Sequence, residues 1–164
     1  MYQRYNERIK AKSQDGTTEI ILPVDDLTAR PVPYVPEGGT AIKLYDDRWE
    51  YRNPTYAIRL ELKWAFERTD YRANVYDKLL DLLYAYDNGE FFDFLIKYNR
   101  DTDSFTSEQQ TGIAPYRLPK MIPDLDEETG GIIFEQTARQ KERSITLRTR
   151  ETEYSLSQVS FLFD

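Results

Sequence analysis

The stretch from Tyr56 to Glu67 constrains this chain more than any other. Tyr56, Ile58, Leu60, Leu62, Trp64 and Phe66 alternate with Ala57, Arg59, Glu61, Lys63, Ala65 and Glu67. Successive side chains of a strand point to opposite faces, so a period of two over this length reads as a half-buried strand. On a helix the same large residues would be scattered around the whole circumference.

A helix is expected directly afterwards, over about residues 70–87. Thr69 or Asp70 can accept a hydrogen bond from an unpaired first-turn N–H as its N-cap. Val75, Leu79, Leu82, Leu83 and Tyr86 fall on one helical stripe. Asn88-Gly89 ends it, because glycine readily takes the left-handed conformation that follows a helix. Phe91 to Tyr98 is apolar on both phases apart from Asp93 and Lys97, which suits a central strand. The helix between these strands is expected to pack on the face that carries Trp64.

Around this centre the chain reads as further strands. Arg8–Lys12 and Thr18–Leu22 flank Ser13-Gln14-Asp15-Gly16, and Asp-Gly favours a tight turn, so a hairpin is expected. Ala41–Tyr45 and Arg48–Arg52 form a second across Asp46-Asp47. Between them, Pro23, Pro31, Pro33, Pro36 and Gly38-Gly39 exclude helix and interrupt a sheet ladder, so residues 23–40 read as an extended arm. With the core strands starting later, loss of residues 31–39 is expected to leave the fold intact. Residues 99–131 hold Pro115, Pro119 and Pro123 and little periodicity, and read as a long loop. Ile132–Ala138, Ser144–Thr149 and Tyr154–Phe163 read as strands. The expected fold is one mainly β (α+β) domain over residues 1–164, an antiparallel β-sandwich or barrel with one flanking helix and long arms.

Composition excludes several functions. The chain has no His, which removes the commonest general base, the serine triads that depend on it and most transition-metal sites. It has no Cys, so neither disulfides nor thiolate chemistry arise. No nucleotide-binding glycine pattern, signal-peptide core or apolar run of membrane-spanning length is present. A net charge of −7 argues against general nucleic-acid binding. The basic stretch Arg139, Lys141, Arg143, Arg148 and Arg150 reads as a solvated strand face. Thirteen Tyr and eight Phe suit either wet interfaces or an aromatic-rich core.

Two acidic groupings merit a test. Glu61 and Glu67 lie on the polar face of the alternating strand, where solvated charge explains them without carboxylate catalysis. Asp124, Asp126, Glu128 and Glu135 have the offsets of a calcium loop, but Thr129 stands where that loop needs glycine and no helix precedes the run. Neither cofactor nor metal is expected.

The order of elements resembles a known family. Arg48-Trp49-Glu50-Tyr51, the strand Tyr56–Trp64, the helix with Leu79-Leu80-Asp81-Leu82-Leu83, Asn88-Gly89 and Phe91-Phe92-Asp93-Phe94-Leu95-Ile96 follow one another. This strand–helix–strand centre, over about residues 48–98, looks like that of tailed-bacteriophage virion proteins of the tail-tube and distal-tail type. The resemblance implies a non-enzymatic structural subunit that forms a ring with copies of itself. DNA would pass through the channel without specific binding, next to other tail or baseplate proteins. It implies a virion location after assembly in host cytoplasm, and no membrane. The arm and the long loop would then carry the subunit contacts, with Pro31, Pro33, Tyr34, Pro36, Phe105, Ile113, Tyr116, Met121 and Ile122 as candidates. Neck, tail-terminator or baseplate-adaptor roles fit the same features. A monomeric carbohydrate-binding sandwich that stacks sugars on Tyr and Trp is the alternative of another class.

Overall fold

A computed structural model describes residues 8–34, 41–43, 49–51, 55–65, 68–109, 116–124, 134–137 and 142–163. Its strands in chain order are β1 (Arg8–Ser13), β2 (Glu19–Pro23), β3 (Asp26–Tyr34), β4 (Ala41–Lys43), β5 (Trp49–Tyr51) and β6 (Thr55–Ala65). After β6 come a π-helical turn (Arg72–Tyr76) that runs into α1 (Asp77–Asp87), then β7 (Phe92–Leu95), β8 (Tyr98–Asn99) and β9 (Ser104–Phe105). The chain continues through β10 (Arg117–Pro123), β11 (Phe134–Thr137), β12 (Glu142–Thr149), α2 (Leu156–Val159) and a 3₁₀ turn (Ser160–Phe163). The fold is mainly β, as the alternation and turn signals predict.

The main antiparallel sheet runs β2-β1-β7-β10-β12-β6-β3, with β11 also on β12. Its connectivity dictates its shape. A flat sheet of that order would hold β2 and β3 about 29 Å apart, at about 4.8 Å per strand. Yet only Val24 and Asp25 separate them in sequence, and three Cα–Cα steps span at most about 11 Å. The sheet therefore curls until its ends meet, and β2–β3 acts as one bent strand that pairs with β1 through its first half and β6 through its second. The bend is fastened where β6 ends. Trp64 Nε1 donates to the Pro23 carbonyl at 2.5 Å, Asp25 N–H to the Lys63 carbonyl at 3.1 Å, and Ala65 N–H to the Asp25 carboxylate at 2.8 Å. Arg68, itself buried, closes on the same carboxylate at 2.7 Å.

The alternating strand turns the way its pattern requires. Ile58, Leu60, Leu62 and Trp64 are fully buried in one core with Ile9, Ala11, Leu22, Phe92, Phe94, Leu118, Met121, Ile145 and Leu147. Val75, Leu79 and Leu82 complete that core from the helix, and the Tyr71 ring meets Trp64 edge-on at 6.2 Å. The helix also shields the unpaired side of β2, where Lys78 Nζ donates to the Ile21 carbonyl at 2.9 Å. At its end Gly89 has φ +81 and donates to the Tyr86 carbonyl at 3.0 Å, the expected glycine stop. The start differs from expectation. No side chain caps it; the Asp70 carboxylate binds Arg68 and Asn74 instead.

Both hairpins form, with Lys12 opposite Glu19 in the first and Ala41 opposite Tyr51 in the second. Three other expectations are corrected. Residues 26–34 of the supposed arm are β3, in register with β6 from Asp26↔Lys63 to Tyr34↔Thr55. Proline has no N–H to give, so Pro31 and Pro33 occupy positions whose donor would point away from β6. The Leu27 N–H, two and three such steps earlier on the same phase, donates to its neighbour Asp26 at 2.9 Å. The prolines thus blunt an edge instead of breaking a strand. The supposed loop 99–131 contains β10, a central strand between β7 and β12. The expected strand Tyr154–Phe163 is helical after one bridge to Tyr56, because Ser155 and Gln158 form a capping box.

Candidate functional site: an apolar groove and an arginine pocket

The outer face of the barrel carries three distinct polar or apolar features. The first is closed. Lys10, Asp93, Leu95 and Arg117 share the outer face of β1, β7 and β10, and the β8–β9 hairpin with its following turn lies over them. Asp93 accepts from Gln14 at 2.6 Å and from the Lys120 N–H at 3.0 Å, and pairs with Arg117 at 2.9 Å. Lys10 pairs with Glu108 and stands 5.1 Å from the centre of the Phe105 ring. Every charge in this buried group has a partner, which gives it a structural role.

The second feature is a groove of about 560 Å³ between the end of α1 and β10, lined by Leu80, Leu83, Tyr84, Phe91, Ile122 and Pro123 among others. Tyr84 is 63 % exposed. Beneath it Tyr86, whose hydroxyl burial pushes above its ordinary range, donates to the Met121 carbonyl at 2.6 Å. The groove floor is thereby tied to the sheet.

The third feature adjoins the second, since Asp124 follows Pro123 and Arg148 pairs across from Ile122. It is a pocket of about 470 Å³ whose rim is Val32, Pro33 and Tyr34 and whose charged lining is Arg59, Asp124, Arg148 and Arg150. The register puts Arg148 directly opposite Arg59 on the outer face of β12 and β6. Asp124 is buried between them, with carboxylate oxygens 3.0 Å from Arg59 Nε and 3.7 Å from Arg148 Nε. The Arg59 contact is close but not aligned as a hydrogen bond. Arg150 projects outward with its guanidinium 4.7 Å from the centre of the Phe91 ring.

The candidate contact residues divide among these places. Pro33 and Tyr34 reach the arginine pocket, and Ile122 reaches the groove. Pro31 is half-buried against β6. Tyr116 lies apart, between the Phe161 ring at 5.7 Å and Lys97 at 4.3 Å. Phe105 and Met121 are buried inside this chain. Pro36 and Ile113 lie outside the described residues.

The acidic groupings also fall into place. Glu61 pairs with Lys63 at 3.1 Å, while Glu67 lies outside the described residues. Asp124, first of the calcium-like run, stands between two guanidinium groups, a setting that repels a divalent cation. Asp126 and Glu128 lie outside the described residues. Of the basic stretch, Arg143 stacks on the Tyr71 ring at 4.1 Å and only Arg148 and Arg150 face the pocket; Arg139 and Lys141 are outside the described residues. Arg59 and Asp124 as partners were beyond sequence reasoning, because strand register alone brings them together. Comparison with protein-family models, curated proteins and solved structures finds no match to this chain.

Proposed function

We propose that this chain is a structural subunit of a tailed-phage virion, a tail-ring or tail-tube component that assembles with copies of itself around the DNA channel. Neighbouring tail or baseplate proteins are its other partners, and DNA passes without specific binding. Neck, terminator and adaptor positions belong to the same proposal. The observation that carries it is the apolar groove beside α1. It presents Leu80, Leu83, Phe91 and Ile122 at the surface with Tyr84 exposed, a composition suited to protein contact. The net charge of −7 suits a lumen that keeps DNA from adhering. Light scattering across a hundredfold concentration range, with imaging of any large species, tests the proposal. Closed rings or stacked tubes are expected, and Tyr84→Glu should abolish them without unfolding the chain. A monomer that also fails to assemble on isolated tail structures would sink it.

A monomeric carbohydrate-binding module is the second reading. Tyr34, 44 % exposed at the mouth of a pocket with charged hydrogen-bonding groups, favours it. Binding to neutral glycans that is lost in Tyr34→Ala would establish that reading.

A further inference from the structure

We propose that the pocket lined by Arg59, Arg148 and Arg150 is an oxyanion-binding site, which takes a carboxylate or phosphate group carried beside an apolar or planar moiety. The inference goes beyond the assembly reading, and a chain that stays monomeric leaves it standing.

Three arginines and one aspartate line this pocket, two positive charges in excess within a chain of net charge −7, and the aspartate stands between Arg59 and Arg148. The way they are held matters more than their number. Asp124, its side chain only 9 % exposed, approaches Arg59 and Arg148 on the Nε side in both cases. Among the described residues the terminal nitrogens of Arg59 donate no hydrogen bond. Those of Arg150 donate none to a described residue either; its guanidinium rests over the Phe91 ring and its backbone N–H goes to the Lys120 carbonyl at 2.8 Å. Arg148 commits one terminal nitrogen to the Thr149 carbonyl at 3.2 Å. Among the described residues, then, the pocket is lined by arginines whose terminal nitrogens are largely without hydrogen bonds, and a planar guanidinium fork matches the two oxygens of a carboxylate or phosphate.

The side chains of Arg59 and Arg148 are 34 % and 37 % exposed, so partial burial strengthens their attraction for an anion while leaving it access. The carboxylate behind them draws both guanidinium groups to the pocket before any ligand arrives, which lowers the ordering cost of binding. Val32, Pro33 and Tyr34 form the apolar rim and specify what accompanies the anion. A bare ion leaves that rim wet, whereas an anion attached to a methylene chain or ring covers it.

Titration of the full chain with succinate and, separately, with inorganic phosphate tests the site, read by calorimetry and by NMR of the arginine Nε–H groups at low salt. Saturable binding is expected with at least one of them, weakening as ionic strength rises. Arg59→Gln and Arg150→Gln should each weaken it about tenfold or more, the equivalent of one charge-assisted hydrogen bond. Arg72→Gln, at an exposed position on the π-helical turn, should leave it unchanged. Arg150 is exposed, so its variant keeps the test decisive even where loss of Arg59 destabilises the chain. Tighter succinate binding assigns the anion to an acidic protein segment, and tighter phosphate binding to a phosphorylated ligand. Absence of saturable binding by both probes, or equal binding by all three variants and the parent, overturns the proposal.

Discussion

Single residues in this barrel carry charge into buried places and tie several segments together there. Asp93 sits in the middle of β7 and serves Gln14, Arg117 and the Lys120 N–H at once. Removing it leaves the Arg117 guanidinium buried with its carboxylate gone. Asp93→Ala is therefore expected to cost about 3–5 kcal/mol, measured by urea denaturation. Lys120 presents the opposite case. It has φ +49 at a β-bulge in β10, where the register with β7 shifts between Leu118 and Met121. A left-handed conformation costs a non-glycine residue about 1–2 kcal/mol, while glycine in an unfolded chain costs about 0.5–1 kcal/mol. Lys120→Gly should thus stay within about 1 kcal/mol of the parent despite losing the exposed Lys120–Glu151 pair at 2.9 Å. Lys120→Val, β-branched in the same conformation, should be clearly less stable in the same denaturation series.

At the scale of elements, β3 decides how the domain closes. Proline content suggests an arm, yet nine residues pair with β6, and this half of the bent strand closes the barrel. Deleting Pro31–Tyr34 removes the pairs from Pro31↔Ile58 to Tyr34↔Thr55 and the rim of the arginine pocket. The deletion should abolish the cooperative thermal transition seen by circular dichroism, whereas an arm would leave it in place. The C-terminal segment teaches a related lesson. Val159, Phe161 and Phe163 alternate like a strand, but Ser155-Leu156-Ser157-Gln158 carries a capping box that starts a helical turn instead. That signal was legible in the sequence, and the apolar alternation outweighed it. The loop reading of 99–131 failed for another reason. Pro119 and Pro123 mask a strand whose bulge at Lys120 also interrupts its period of two.

The whole molecule gathers several carboxylates whose charged form the fold favours. Hydrogen bonds from Ser13 and Thr17 bring Asp15 in the first hairpin turn to about 2, against an ordinary 3.8. Hydrogen bonds from Arg68, Lys10 and Lys120 likewise hold Asp70, Glu108 and Glu151 below the usual carboxylate range. A carboxyl group lowered in the folded state adds stability above its unfolded value and loses it as pH falls through the folded one. The melting temperature is therefore expected to stay level above about pH 5 and to fall between about pH 4 and 2. Calorimetry at constant ionic strength checks this, and a level profile down to about pH 2 would refute it. The sequence by itself determined the elements whose signals are local: the alternating strand, the helical stripe, the glycine stop and the Asp-Gly hairpin. Each depends on side chains a few residues apart, and so is written into short stretches. Only tertiary structure decided that β2 and β3 close a barrel, that Pro31 and Pro33 sit on an edge, and that Arg59, Asp124 and Arg148 meet. Those outcomes depend on strand order and register between distant segments, which periodicity along the chain does not encode.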